Sequence, residues 1–206
     1  MIAGILLNTT MWSALLRQVL LALVVSAIVG TCGMLIGYAC VRRRGSRLSR
    51  MVESLAFFPY LMPAMAFATI YLAVATSANF KFLYGTFGVL VLVASIKFLP
   101  FASRSGVNSM MQIAPEIEEA AVIFGVPWRT RMTRILFPIQ KSSIISGYLL
   151  PVISVMREVA LFTLLVPYAR YLLTTMLFSF NETGYAQYGS AVPLLIILLI
   201  IPVSYT

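Results

Sequence analysis

The sequence has no histidine, two cysteines and six acidic residues among 206. Without histidine it lacks the commonest metal ligand and the side chain that most often moves protons near neutral pH. Cys32 and Cys40 lie in one apolar stretch, with no further Cys or His to complete a zinc site. They read as small packing hydrophobes. No G-x-x-x-x-G-K-[ST] run is present to cradle a nucleotide. No paired intramembrane carboxylates or nucleophile cluster support a membrane-embedded enzyme. The expectation is therefore no catalytic residue, no metal site and no cofactor. The opening MIAGILLNTT also lacks the basic region that starts a signal peptide.

Charge is scarce too. Only 10% of residues are charged, against about 25% in soluble domains. Hydrophobic residues make up 61% and the mean hydropathy is +0.96. Such a chain cannot cover a water-facing surface with polar groups. Its apolar stretches run to roughly 20 residues, enough to cross ~30 Å of hydrocarbon. Five spans are predicted, near 17–41, 53–75, 84–102, 142–166 and 191–206, forming one all-α membrane domain over 1–206. No internal repeat is visible, which weakens a secondary-transporter reading. The last span has no basic anchor and the first almost no leader, so the chain is read as a piece or short form of a longer one.

The net charge of +9 is concentrated in two places. Arg42, Arg43, Arg44, Arg47 and Arg50 follow the first span. Arg129, Arg131, Arg134 and Lys141 lie in the long polar segment at about 103–141. The two outward loops carry only Lys81 and Arg170. Positive loops mark the cytoplasmic side, so the N-terminus is expected outside and the C-terminus inside a bacterial cytoplasmic membrane. The partners implied are membrane lipid and not nucleic acid. A short apolar run at 171–180 cannot cross; it is expected to lie at the outer interface or re-enter, flanked by an aromatic belt of Tyr168, Tyr171, Tyr185 and Tyr188.

The polar segment contains PEIEEAAVIFGVPWRTRMTRILFP. Pro115 suits the first position of a helix, and Glu116, Glu118 and Glu119 complement the dipole of its first turn. Ile117, Ala120, Ala121 and Phe124 fall at i, i+3, i+4 and i+7 as an apolar stripe. Gly125 caps the end and Pro127 prevents continuation. A second short helix is expected from Trp128 to Leu136, with Met132, Ile135 and Leu136 on its apolar side. The first helix is too short to stand alone. Its acidic face suits a protein partner with a basic cleft better than anionic lipid.

Glu119-Ala120-Ala121, Gly125, Ile135 and Pro138, at these spacings, resemble the EAA loop of binding-protein-dependent ABC importer permeases. Asn8-Thr9-Thr10, Gly45 in the basic loop and Leu61-Met62-Pro63 are similar to that family as well. Leu99-Pro100-Phe101 with Arg104-Ser105-Gly106, Arg157-Glu158, and Asn181-Glu182-Thr183-Gly184-Tyr185 resemble its iron(III)-type branch; polyamine and aminoethylphosphonate permeases are near relatives. The resemblance implies a type I ABC importer permease core with a cytoplasmic coupling helix. It implies ABC ATPase subunits, an extracytoplasmic solute-binding protein and a second permease subunit or half as partners. It places Ile117, Glu119, Ala120, Ala121, Phe124 and Gly125 at the ATPase contact, and suggests ferric iron as the solute.

Three further positions are candidates for the translocation path. Arg157 and Glu158 fall within the fourth span, where ionised groups are costly unless paired or wetted. Glu158 either faces a polar path or pairs with a neighbouring helix. Pro63 interrupts the second span and is either a hinge or a static kink. Lys97, near the end of the third span, is expected to snorkel to the cytoplasmic surface.

Overall fold

The computed structural model describes residues 9–42, 46–77, 79–82, 84–165, 172–184 and 197. The fifth span, the four tyrosines of the expected aromatic belt and Arg43, Arg44 and Gly45 lie outside the described residues. Among the described residues the secondary structure is helical throughout.

Two long helices form the frame. Helix α1 spans Thr9–Arg42. At 1.5 Å per residue its 34 residues reach about 50 Å, well beyond a hydrocarbon core of ~30 Å. Its last turns, with Tyr38 and Arg42, therefore stand clear of the lipid when its apolar middle is centred there. Helix α2 (Arg47–Phe57) starts at Ser46, whose hydroxyl accepts from the Leu48 amide. A single 3-10 turn (Phe58–Leu61) leads to α3 (Ala64–Thr76). Helix α4 spans Phe87–Met111 and is capped by the Thr86 hydroxyl. It runs nine residues past the predicted end, because Ser103, Ser109 and Gly106 are buried against neighbours rather than exposed as a polar loop.

Helices α1 and α4 approach backbone to backbone. A Cβ placed on Gly37 would lie 2.2 Å from the carbonyl carbon of Gly106, and one on Gly33 would lie 2.4 Å from that of Ala102. Small residues at four-residue spacing make such contact possible where lipid offers no hydrophobic drive. Around this seam Leu21, Val25, Val29, Val93, Phe98 and Phe162 form the core. Gln18 ties the far end together: its amide donates to the Val155 carbonyl at 2.9 Å and accepts from Thr174 at 3.3 Å.

The second predicted span is broken, a sharp bend lies just before the fourth, and the fourth is itself interrupted at Glu158. The α2 and α3 segments meet at Pro63 with a bend of 103°. Helix α6 (Trp128–Ile139) likewise meets α7 (Lys141–Arg157) at 85°. Among the described residues two helices are long and apolar enough to cross a bilayer, or up to four if each bent pair is one span. Helix α7 ends at Arg157, and α8 (Ala160–Leu165) begins after Val159. Within the short run at 171–180 the chain forms α9 (Leu173–Glu182), and Leu172 with the first four residues of the helix, Leu173 to Met176, is buried. The helix packs on α1 and α8. Cys40 is buried as expected, whereas Cys32 is exposed.

The glycine seam generates a test. Gly37→Ala is expected to destabilise the detergent-solubilised protein by about 1–3 kcal/mol through overpacking, read as a lowered thermal midpoint. Gly88→Ala, whose Cβ would meet its nearest neighbour at an ordinary 3.8 Å, is expected not to lower it.

Candidate functional site

Helix α5 (Pro115–Ile123) opens with Pro115 and carries Glu116 and Glu118 in its first turn. It closes as the sequence predicts. Gly125 takes φ +70°, the Gly125 amide donates to the Val122 carbonyl, and the Val126 amide donates to Ala121. This double bond pattern ends a helix cleanly, and only glycine enters the left-handed conformation without strain.

One carboxylate holds α5 to the body. Glu118 Oε2 accepts from Arg42 Nε at 2.7 Å, and Oε1 accepts from the Tyr38 hydroxyl at 2.6 Å. Arg131 Nε stands 3.8 Å from Oε1. The Glu118 side chain is only 10% exposed and that of Arg42 15%, so solvent screens the pair weakly. Arg131 also donates to the Val126 carbonyl at 3.3 Å, bracing the turn after α5. Beneath lies a small apolar cluster of Met110, Ile113, Met132 and Leu136, edged by Tyr38, Val41 and Phe137. Trp128 meets Tyr38 edge to face at 6.1 Å. A π-helical stretch, Arg131–Leu136, turns Met132 and Leu136 into that cluster.

The outer side of α5 is unusual for a water-exposed helix. Ile123 and Phe124 are 83% and 85% exposed, and Ile117 and Val122 are exposed too. Such an apolar tip beside the acidic Glu116 and Glu119 has the form of a docking surface. The expected stripe of Ile117, Ala120, Ala121 and Phe124 is accordingly split. Ala121 turns inward with Glu118, while Ile117, Ala120 and Phe124 face out. The helix is apolar on its outside and held by a charge on its inside.

Residues 30–206 match the family described as binding-protein-dependent transport system inner membrane component. The chain belongs to that family. It is thus an inner membrane component of a binding-protein-dependent transport system. It is 28% identical over 163 residues to "Phosphate transport system permease protein PstA 1" of Mycobacterium tuberculosis (strain H37Rv), covering 77% of this chain and 51% of that protein. It is 32% identical over 121 residues to "Phosphate transport system permease protein PstA" of Mycobacterium leprae, covering 58% and 38% respectively. The chain spans about half the length, or less, of these curated relatives. Its fold matches a chain of the inward-facing MetNI methionine ABC transporter, with TM-score 0.72, 17% identity and 97% and 95% coverage. A chain of a bacterial ABC transporter importing alginate gives TM-score 0.75 at 13% identity, with 99% and 81% coverage. The fold is that of a type I ABC importer permease.

The other candidates sit elsewhere in this permease. Pro63 marks the 103° break. Arg157 is exposed at the last turn of α7, and Glu158 lies just past it, so the two are not neighbours on one helix face. Glu158 Oε1 accepts from the Leu161 amide at 3.0 Å, capping α8. Lys97 does not snorkel away. Its ammonium donates to the Met62 carbonyl at 3.0 Å and lies 5.1 Å over the Phe67 ring. The break at Pro63 leaves that carbonyl outside any helical ladder, and the lysine reaches it first.

The sequence reading missed Glu118 as an anchor. A signal for it existed: the helix turns Ala121 inward, and Glu118 stands three residues before it, on the same face. Removing one partner of a largely buried ion pair costs on the order of 3 kcal/mol. Glu118→Ala is therefore expected to raise amide exchange across Pro115–Ile123 by about a hundredfold, while α1 and α4 stay protected. Mass-spectrometric hydrogen exchange checks this.

Proposed function

We propose that this permease spans the bacterial cytoplasmic membrane and couples solute import to ATP hydrolysis on a separate subunit that grips α5. The observation that carries the reading is the exposed apolar tip, Ile123 and Phe124, on a helix locked to the frame from behind. Ile117, Ala120 and Gly125 would line the contact, with Glu119 offered to a basic residue of the ATPase. Ala121 contributes from the inner side by letting α5 lie close to the body.

Orientation supports the same reading. Arg42, Arg47 and Arg50 cluster at the end of α1 that holds α5, and basic loops mark the cytoplasmic side. The N-terminus would then lie outside. An extracytoplasmic solute-binding protein would deliver cargo, and a second permease subunit or half would complete the path. Closure of the ATPase pair would push on α5 and, through Glu118 and Arg42, on α1. The permease itself hydrolyses nothing in this scheme.

For the solute, the relatives named as phosphate permeases favour phosphate over the ferric iron implied by the iron(III)-type resemblance. Among the described residues no group of three or more His, Cys, Asp or Glu could hold a metal ion, so nothing there adds weight to iron.

A buried apolar anchor in a protein interface is worth about 2 kcal/mol or more, roughly 30-fold in affinity. Ile123→Asp with Phe124→Asp is expected to abolish co-purification of the ATPase subunit while membrane insertion stays normal. Undiminished co-purification of the double variant would overturn the docking assignment.

A further inference from the structure

Helix α4 carries Lys97, Phe101, Arg104 and Asn108 at successive steps of four, three and four. On a helix of 3.6 residues per turn these positions fall within about 60° of one another. They form one polar and cationic stripe in a helix that is otherwise apolar enough to cross a membrane. Ionisable groups in such a position are functional candidates by default.

The stripe is continuous with a cavity. Arg104, Ser105, Asn108 and Ser109 line a cleft of about 480 Å³ between α4 and α7, faced by Ser142 and Ser146. Phe57 and Tyr60 close its side, and Arg104 sits 5.0 Å over the Phe57 ring. Tyr60 meets Phe101 edge to face at 5.8 Å. The aromatic pair thus lies along the stripe between Lys97 on one side and the serine-lined cleft on the other. Glu53, 3.9 Å from Arg104, is the carboxylate nearest the cleft's guanidinium, and both side chains are about half exposed. Such a pair is weak and readily exchanged.

We propose that this stripe is a solute-contacting wall of the translocation path, and that the solute is a tetrahedral oxyanion. The inference rests on the importer reading above and names residues for its solute. The Ser105, Ser109 and Ser146 hydroxyls donate to Ser143, Gln140 and Ser142, so the donors turned to a solute are the two cations with the Asn108 amide and the Ser142 hydroxyl, the set an oxyanion needs once its hydration shell thins. A guanidinium can exchange the distant Glu53 for the anion without unpairing a buried charge. Lys97 would receive the anion at the Pro63 break, and Arg104 with Asn108 and Ser142 would receive it beyond the aromatic pair.

The test uses the complete transporter in proteoliposomes, with its binding protein and ATPase subunits, and radiolabelled inorganic phosphate. Arg104→Gln and Lys97→Gln are each expected to cut uptake at least tenfold, with ATPase co-purification unchanged. Lys97→Gln keeps a donor for the Met62 carbonyl, so a folding defect is not the expected cause. Glu53→Ala, which removes the same ion pair from its other side, is expected to leave uptake within about twofold of the unmodified transporter, whereas a purely structural role for that contact would lower it as Arg104→Gln does. Wild-type uptake in both glutamine variants overturns the proposal. Failure of the unmodified transporter to carry phosphate or sulfate overturns the oxyanion class, while leaving the docking role of Ile123 and Phe124 standing on its own test.

Discussion

The arrangement depends on one ion pair, Glu118 with Arg42. Helix α5 is nine residues long, about 14 Å, and a helix that short does not persist alone in water. Its outer side is apolar and exposed, so packing cannot hold it from that direction. What fixes it is a carboxylate drawn inward to two arginines and a tyrosine. Those arginines come from different elements, the end of α1 and the start of α6. The same contact therefore ties three segments at one point. Under the docking proposed above, a push on α5 would reach α1 through this contact.

That transmission has value only if α1 moves with its neighbours. The glycine seam supplies the contact: with Gly33 and Gly37 against Ala102 and Gly106, α1 and α4 touch backbone to backbone. The other spans are built differently. Pro63 breaks the second, and a second break separates α7 from α8 at Glu158. Lys97 and the Glu158 carboxylate supply hydrogen bonds at these two breaks. The domain sets a closely packed pair of helices beside spans that are bent or interrupted.

Much of this was legible in the sequence, and the exceptions share a cause. Composition and apolar length gave the membrane class. Pro115, the acidic first turn and Gly125 gave α5 nearly to the residue, because caps and breakers act locally. The reading failed where a distant partner decides the outcome. Glu118 looked like a dipole-complementing surface charge until α1 brought Arg42 beside it. Lys97 looked free to snorkel until the Pro63 break placed a carbonyl within reach. The α4 stripe of Lys97, Arg104 and Asn108 was present in the spacing but divided between a predicted span and a predicted loop. Arg157 and Glu158 were placed on one continuous helix because nothing local announces the break between them. The misses at Glu118 and Lys97 are tertiary contacts overriding a sound local rule.

The central claim is that Glu118 carries mechanical coupling between the ATPase contact and the membrane helices. It is tested most directly by the amount of solute imported per ATP hydrolysed, measured in proteoliposomes for Glu118→Gln. The account predicts that the ATPase subunit stays bound and continues to hydrolyse ATP while import per ATP falls at least tenfold. An import-to-hydrolysis ratio equal to that of the unmodified transporter would contradict it.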